Sequence, residues 1–220
     1  MQVLIFGATG MIGQGVLREC LHDARVSEVL TVGRTATGQQ HPKLREVVHG
    51  DLLNLSAIAP QFDRLDACFY CLGVSSAGMS ETDYRRITFD MPLAAATMLV
   101  ARNSGMTFIY VSGAGADSSG RGRIMWARVK GQAENALAAL PFRAVYVFRP
   151  GFVQPLHGIR SRTPLYNAVY RLLGPLYPVS KRLAPSLVTT TEQIGRAMVN
   201  VAVGGAPKQV LETKDINAMS

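Results

Sequence analysis

Nowhere in the 220 residues does an apolar run approach the roughly 18 that a membrane-crossing helix requires, so no transmembrane segment is expected. Acidic residues are scarce, 15 against 23 Lys and Arg, and charged residues make up only 17 % of the chain against 48 % hydrophobic. That balance excludes disordered and fibrous classes and leaves a globular chain. It also leaves a formal charge of +8, which attracts anions. No stripe of Lys and Arg interleaved with aromatics accompanies the charge, so nucleic acid is not expected as a partner. Cysteines number three, Cys20, Cys68 and Cys71. Cys68 and Cys71 have the spacing of a redox pair, but within an apparent strand that spacing turns the thiols to opposite faces. No metal site is expected. Three cysteines and the lack of a basic leader ahead of the first motif predict a cytosolic protein.

What is present begins at the first residue. Val3 to Phe6 are four successive apolar residues, the pattern of a strand buried on both faces. Gly7, Gly10 and Gly13 follow at spacings of three, and then an amphipathic helix from about Met11 to His22, with Ile12, Val16 and Leu17 on one face. In a strand, glycine turn and helix of this kind the first glycine permits the tight turn. The second lets backbone approach a phosphate, and the third lets the helix pack on the strand. The helix N-terminus then presents free N–H groups to an anion. A glycine-rich turn without a ligand is the bland alternative, and the flanking strand and helix favour the dinucleotide reading.

Alternation continues along the chain. Strands are expected at Val29–Val32, Leu44–Val48, Asp66–Leu72, Thr107–Ser112, Phe142–Arg149 and Gln209–Glu212, and helices at Glu81–Asn103, Ile124–Leu140 and Thr189–Val203. The expected fold is therefore α/β, a Rossmann-type doubly wound parallel sheet in one domain. Residues 1–150 form the dinucleotide-binding core, 151–187 a small substrate-side segment, and 188–220 a closing helix and strand. About twenty residues past the glycines, where an acid commonly holds the ribose 2′-hydroxyl, stands Gly33-Arg34. An acid there repels a 2′-phosphate and a guanidinium binds it, so NADP(H) is expected over NAD; the alternative is a solvated surface Arg. Asp51, after the third strand, is placed to accept the adenine amino group or to cap the short helix that follows. The loop Val74 to Ser80 lies at a strand's carboxyl end, where ligands bind in open sheets.

The glycine motif, Val32-Gly33-Arg34, Gly50-Asp51-Leu52, the Tyr110 to Gly113 strand end, Val129-Lys130-Gly131 and Phe148-Arg149-Pro150-Gly151 together resemble the atypical short-chain dehydrogenase/reductases, and most of all the Tat-interacting-protein-like branch. The resemblance implies a cofactor site drawn from Gly7, Thr9, Gly10, Met11, Ile12, Gly13, Arg34, Asp51, Leu52, Cys71, Leu72, Gly73, Lys130 and Pro150. It also implies a working Ser at Ser112 and a Lys at Lys130, beside a Tyr four residues before the Lys. That position is Trp126, and an indole N–H cannot serve as the acid. The family geometry is thus expected with its proton donor missing. A small carbonyl compound is the expected substrate of a reductase or epimerase with weak acid catalysis. The alternative is a dinucleotide-sensing regulator that binds another protein. Leu165, Val169, Leu172 and Leu173 have helical spacing within 163–182, a segment read as packing over the cleft or resting on a membrane or subunit. Tyr166 and Tyr170 there are candidate replacement donors.

Overall fold

The computed structural model describes residues 1–159 and 186–220. Seven strands, β1 (Gln2–Phe6), β2 (Glu28–Gly33), β3 (Leu44–Val48), β4 (Ala67–Tyr70), β5 (Thr107–Val111), β6 (Ala144–Arg149) and β9 (Val210–Glu212), form one sheet in the order β3-β2-β1-β4-β5-β6-β9. Every pairing in it is parallel. The order reverses between β1 and β4, and that switch opens a crevice at the strands' carboxyl ends. A second, parallel pair is made by β7 (Phe152–Gln154) and β8 (Val188–Thr190), which the sequence pattern did not reveal.

Alternation along each strand divides the core. Val3, Ile5, Phe69 and Ile109 point to the face covered by α1 (Met11–His22), α5 (Thr191–Gly204) and α6 (Thr213–Ala218). Leu4, Phe6, Tyr70, Phe108 and Tyr110 point to the opposite face, under a 3-10 helix (Ser56–Phe62), α3 (Met91–Arg102) and α4 (Met125–Ala138). Cys68 joins the second cluster and Cys71 the first, so the thiols do lie on opposite faces, both buried and free. Burial raises the pKa of both, which keeps them protonated and unreactive.

The long helix expected from Glu81 is present but not uniform. It runs as α2 (Glu81–Arg85), a widened π turn (Arg86–Asp90) and α3. Pro92 has no N–H to offer the Thr88 carbonyl one turn back. The Tyr110 hydroxyl, from β5, donates to that carbonyl at 3.0 Å. The proline thus leaves an acceptor that the sheet fills, and this pins the π turn over the carboxyl end of the sheet.

Helices α1 and α5 meet with no space between them. A Cβ on Gly15 would lie 2.6 Å from the Thr191 Cβ and 2.7 Å from its carbonyl oxygen, and a Cβ on Gly195 would lie 2.7 Å from Cγ of Glu19. Thr190 caps α5 by accepting the Gln193 N–H at 3.0 Å, with Glu192 in the first turn. Gly15→Ala is expected to force the two helices apart and destabilise the fold by about 1–3 kcal/mol, the usual penalty of overpacking. Urea unfolding followed by circular dichroism checks this, and an unchanged midpoint would contradict the close contact.

Candidate functional site

The glycine turn is built as three different solutions to one steric problem. Gly7 has φ +79°, and a Cβ there would press on the backbone of Cys71 and Leu72 at 2.6 to 2.9 Å. A Cβ on Gly13 would overlap the Gly7 carbonyl oxygen, so α1 seats on β1 only because Gly13 has none. Gly10 differs: its Cβ would meet nothing but the Gly7 oxygen, at 3.3 Å, and its surface faces outward. Gly10 is also the N-cap of α1 and brings no side-chain cap to the helix. The N–H groups around Met11, Ile12 and Gly13 therefore end a helix dipole at an open cradle, beside half-exposed Thr9. A diphosphate fits such a cradle by charge and by space.

Around that cradle the strand ends bring the remaining expected residues. Arg34 follows β2, exposed, and its guanidinium makes no hydrogen bond or ion pair with a described residue. Asp51 lies in the turn after β3, where its Oδ1 accepts the Leu53 N–H at 3.0 Å. It caps no helix, because the 3-10 helix begins only at Ser56, with Leu55 as its N-cap. Leu52 is buried beneath, Cys71 lines the wall, and Leu72 and Gly73 form the rim after β4. Strand β4 is shorter than expected, ending at Tyr70, because Leu72 passes over Gly7 and leaves the ladder.

On the other side of the switch, Ser112 and Lys130 take separate roles. The Ser112 hydroxyl donates to the Glu134 carboxylate, which Arg149 grips with two of its guanidinium nitrogens. Arg149 also donates to the Ser118 hydroxyl at 2.7 Å and lies 3.5 Å from Glu212. Ser112, Glu134 and Arg149 are all buried, so a carboxylate held by one cation and one hydroxyl welds β5, β6 and α4. Glu134 was not singled out from the sequence, and Arg149 entered only as part of the Phe148 to Gly151 motif, with no role of its own. Their four- and fifteen-residue distances from Lys130 and Glu134 carry no signal that they meet.

The residue that faces Lys130 is Gly113: a Cβ there would sit 4.0 Å from Cε of Lys130. The half-buried Lys130 ammonium stands 5.6 Å from the centre of the Tyr110 ring. Burial brings its pKa down to about 8, and the Glu134 charge one turn further along α4 opposes that fall. Trp126, one turn earlier, leans its ring over Gly115, with Cη2 3.4 Å from where a Cβ would be. The loop carrying these glycines is fixed by Asp117, which accepts the N–H groups of Ser119, Arg121 and Gly122. Gly131 lets the Asp117 carbonyl approach α4 where any side chain would collide with it. The Pro150 carbonyl accepts the Ala114 N–H at 3.0 Å, so Pro150 steadies the same loop from β6. Tyr166, Tyr170 and the 163–182 pattern lie outside the described residues. Among the described residues no His, Cys, Asp and Glu cluster suits a metal, and no helix is long and apolar enough to cross a membrane.

A family model described as NAD(P)H-binding matches residues 7–151. The chain is 30 % identical over 220 residues to protein HTATIP2 of Rattus norvegicus, covering 97 % of this chain and 87 % of that one. It is 27 % identical over 210 residues to "Protein fmp52, mitochondrial" of Emericella nidulans, covering 91 % and 87 %. In fold it resembles a dTDP-glucose 4,6-dehydratase from Streptomyces venezuelae, solved with NAD bound, at a TM-score of 0.71 and 16 % identity over 96 % of this chain and 74 % of that one. The fungal name corrects the expectation of a cytosolic protein, and a second relative, from Chaetomium globosum, is also named mitochondrial. Reduced cysteines fit any reducing compartment, so they never separated the cytosol from another. A sheet wound about a glycine cradle, a family match across two thirds of the chain and near full-length relatives together place this chain among the NAD(P)H-binding atypical short-chain dehydrogenase/reductases, in the Tat-interacting-protein-like branch.

Proposed function

We propose that the chain binds NADP(H) and reduces a small carbonyl compound slowly. The observation that carries this reading is Arg34, a guanidinium without a partner among the described residues, at the carboxyl end of β2, on the same side of the sheet's carboxyl end as the Gly10 cradle. Charge selects the phosphorylated dinucleotide: a free guanidinium beside the ribose position attracts a 2′-phosphate, and no acid stands there to repel it. Asp51 retains Oδ2 for the adenine amino group, since among the described residues only Oδ1 is engaged. Leu52 and Leu72 supply apolar walls. When bound, the cofactor supplies hydride. Lys130 holds the nicotinamide ribose, and its charge faces the place where a carbonyl oxygen gains electron density.

What limits the rate is the proton. Trp126 occupies the position of the family's phenol, and the Ser112 hydroxyl is directed into the Glu134 carboxylate. A second reading follows from this pair of observations: a regulator whose NADP(H)-bound form recognises another protein. Measured turnover separates the two, because a regulator binds the cofactor and consumes none.

Arg34→Ala is expected to weaken NADPH binding more than about tenfold, the loss of a charge-assisted hydrogen bond of roughly 1.5–3 kcal/mol, while barely changing NADH. Isothermal calorimetry reads both; equal losses would remove Arg34 from the phosphate site. Trp126→Tyr is expected to raise NADPH oxidation with at least one aldehyde or ketone, by up to the roughly 10² to 10⁴ that general acid catalysis supplies, since Lys130 is in place to lower the phenol's pKa. Steady-state assays at matched cofactor saturation compare the two proteins. A wild type turning over on the order of ten per second, the ordinary enzyme range, would show that another donor works.

A further inference from the structure

The Lys130 amine has three properties that the holding of a ribose does not need. First, it forms no hydrogen bond or ion pair with a described residue; its contact is the Tyr110 ring, 5.6 Å below. Second, the chain opposite is glycine. Gly113 offers no side chain, and a Cβ built there would meet nothing nearer than Cε of Lys130 at 4.0 Å, so among the described residues no side chain of this loop position stands before the amine. Third, the groups that could act as its permanent partner are turned elsewhere. Glu134, on the same helix, is saturated by Ser112 and Arg149, and the Tyr110 hydroxyl donates to the Thr88 carbonyl.

We infer that, in the cofactor-free protein, Lys130 is a nucleophilic amine that forms a reversible imine with small aldehydes, and that the dinucleotide and the aldehyde compete for this place. The Nζ lone pair attacks the carbonyl carbon, and the C=O π electrons pass to oxygen, which takes up a proton as nitrogen loses one. The carbinolamine then loses water as the C=N bond forms. Aldehyde and amine become imine and water, with no oxidant or reductant involved. Desolvation favours the neutral amine that the first step requires: at the Lys130 pKa of about 8, about a tenth of the groups are neutral near pH 7, against well under a thousandth for an ordinary lysine. Glu134 on α4 is the charged group that opposes this, and Tyr110 on β5, its own pKa raised by burial, stays neutral.

The experiment traps the imine. Cofactor-free protein is incubated near neutral pH with propanal and cyanoborohydride, which reduces the C=N bond to a stable amine, and alkylation is quantified by peptide mass spectrometry at the five lysines, Lys43, Lys130, Lys181, Lys208 and Lys214. Lys130 is expected to react at least about tenfold faster than each of the others, following its neutral fraction. Gly113→Val, which sets a branched side chain against Cε, is expected to slow Lys130 several-fold and leave Lys43 unchanged; Lys130→Arg removes the adduct from that peptide. Saturating NADPH is expected to protect Lys130 alone. The labelling does not rest on the cofactor reading and the protection does, so their failures are distinct. Labelling of Lys130 no faster than that of Lys208 overturns the amine site whatever NADPH does, whereas selective labelling that NADPH leaves unblocked supports the amine site and counts against the cofactor reading.

Discussion

The contact on which the molecule depends is the seating of α1 against the end of β1, where Gly13 lies on the Gly7 carbonyl with no atom to spare. It fixes the direction of the helix, and so the direction of its dipole and of its first free N–H groups. From that seat α1 presents Gly15 to Thr191, and α5 packs along it to close one face of the sheet. The anion cradle and half of the core are therefore consequences of one steric fit. Gly10 takes no part in the fit, which is why its surface remains open for a ligand.

The opposite end of the crevice depends on a buried charge. Glu134 is removed from water, and an isolated carboxylate there would be strongly destabilising. Arg149 and Ser112 satisfy it, and the arginine reaches on to Ser118 and Glu212, so β5, β6, β9, α4 and the glycine loop share one network. Such a network is costly to break by one partner at a time, and this rigidity holds the loop over Lys130. Along α4, Glu134 lies one turn from Lys130 on the same face; it is held by Ser112 and Arg149, and its charge still acts on the Lys130 amine.

Trp126 and Lys130 stand one turn apart on α4, and the indole and the amine reach different glycines of the facing loop, Gly115 and Gly113. With the Ser112 hydroxyl turned into Glu134, the amine stands above an aromatic ring in a partly dry place.

Strand and helix alternation, the parallel class of the sheet and the glycine turn were legible because each is local. Period-two and period-3.6 patterns record burial directly, and a turn at positive φ with no space for a Cβ, as at Gly7, calls for glycine. That Trp126 and Lys130 share one helix, a turn apart, was legible for the same reason. The partner of Ser112 was not: a hydroxyl reads the same in sequence whether it faces a ligand or a carboxylate, and Glu134 and Arg149 look like surface charges until the sheet order brings them together. The β7–β8 pair was hidden because each strand has only three residues, too few for a period to show, and because the two are brought together from far apart in sequence. The division of Cys68 from Cys71 followed from the alternation of the chain through β4 and just past it, whereas the glycine that lies opposite Lys130 was put there by tertiary packing. Local sterics write themselves into sequence; the pairing of buried charges and the emptiness of a cleft exist only once distant segments have met.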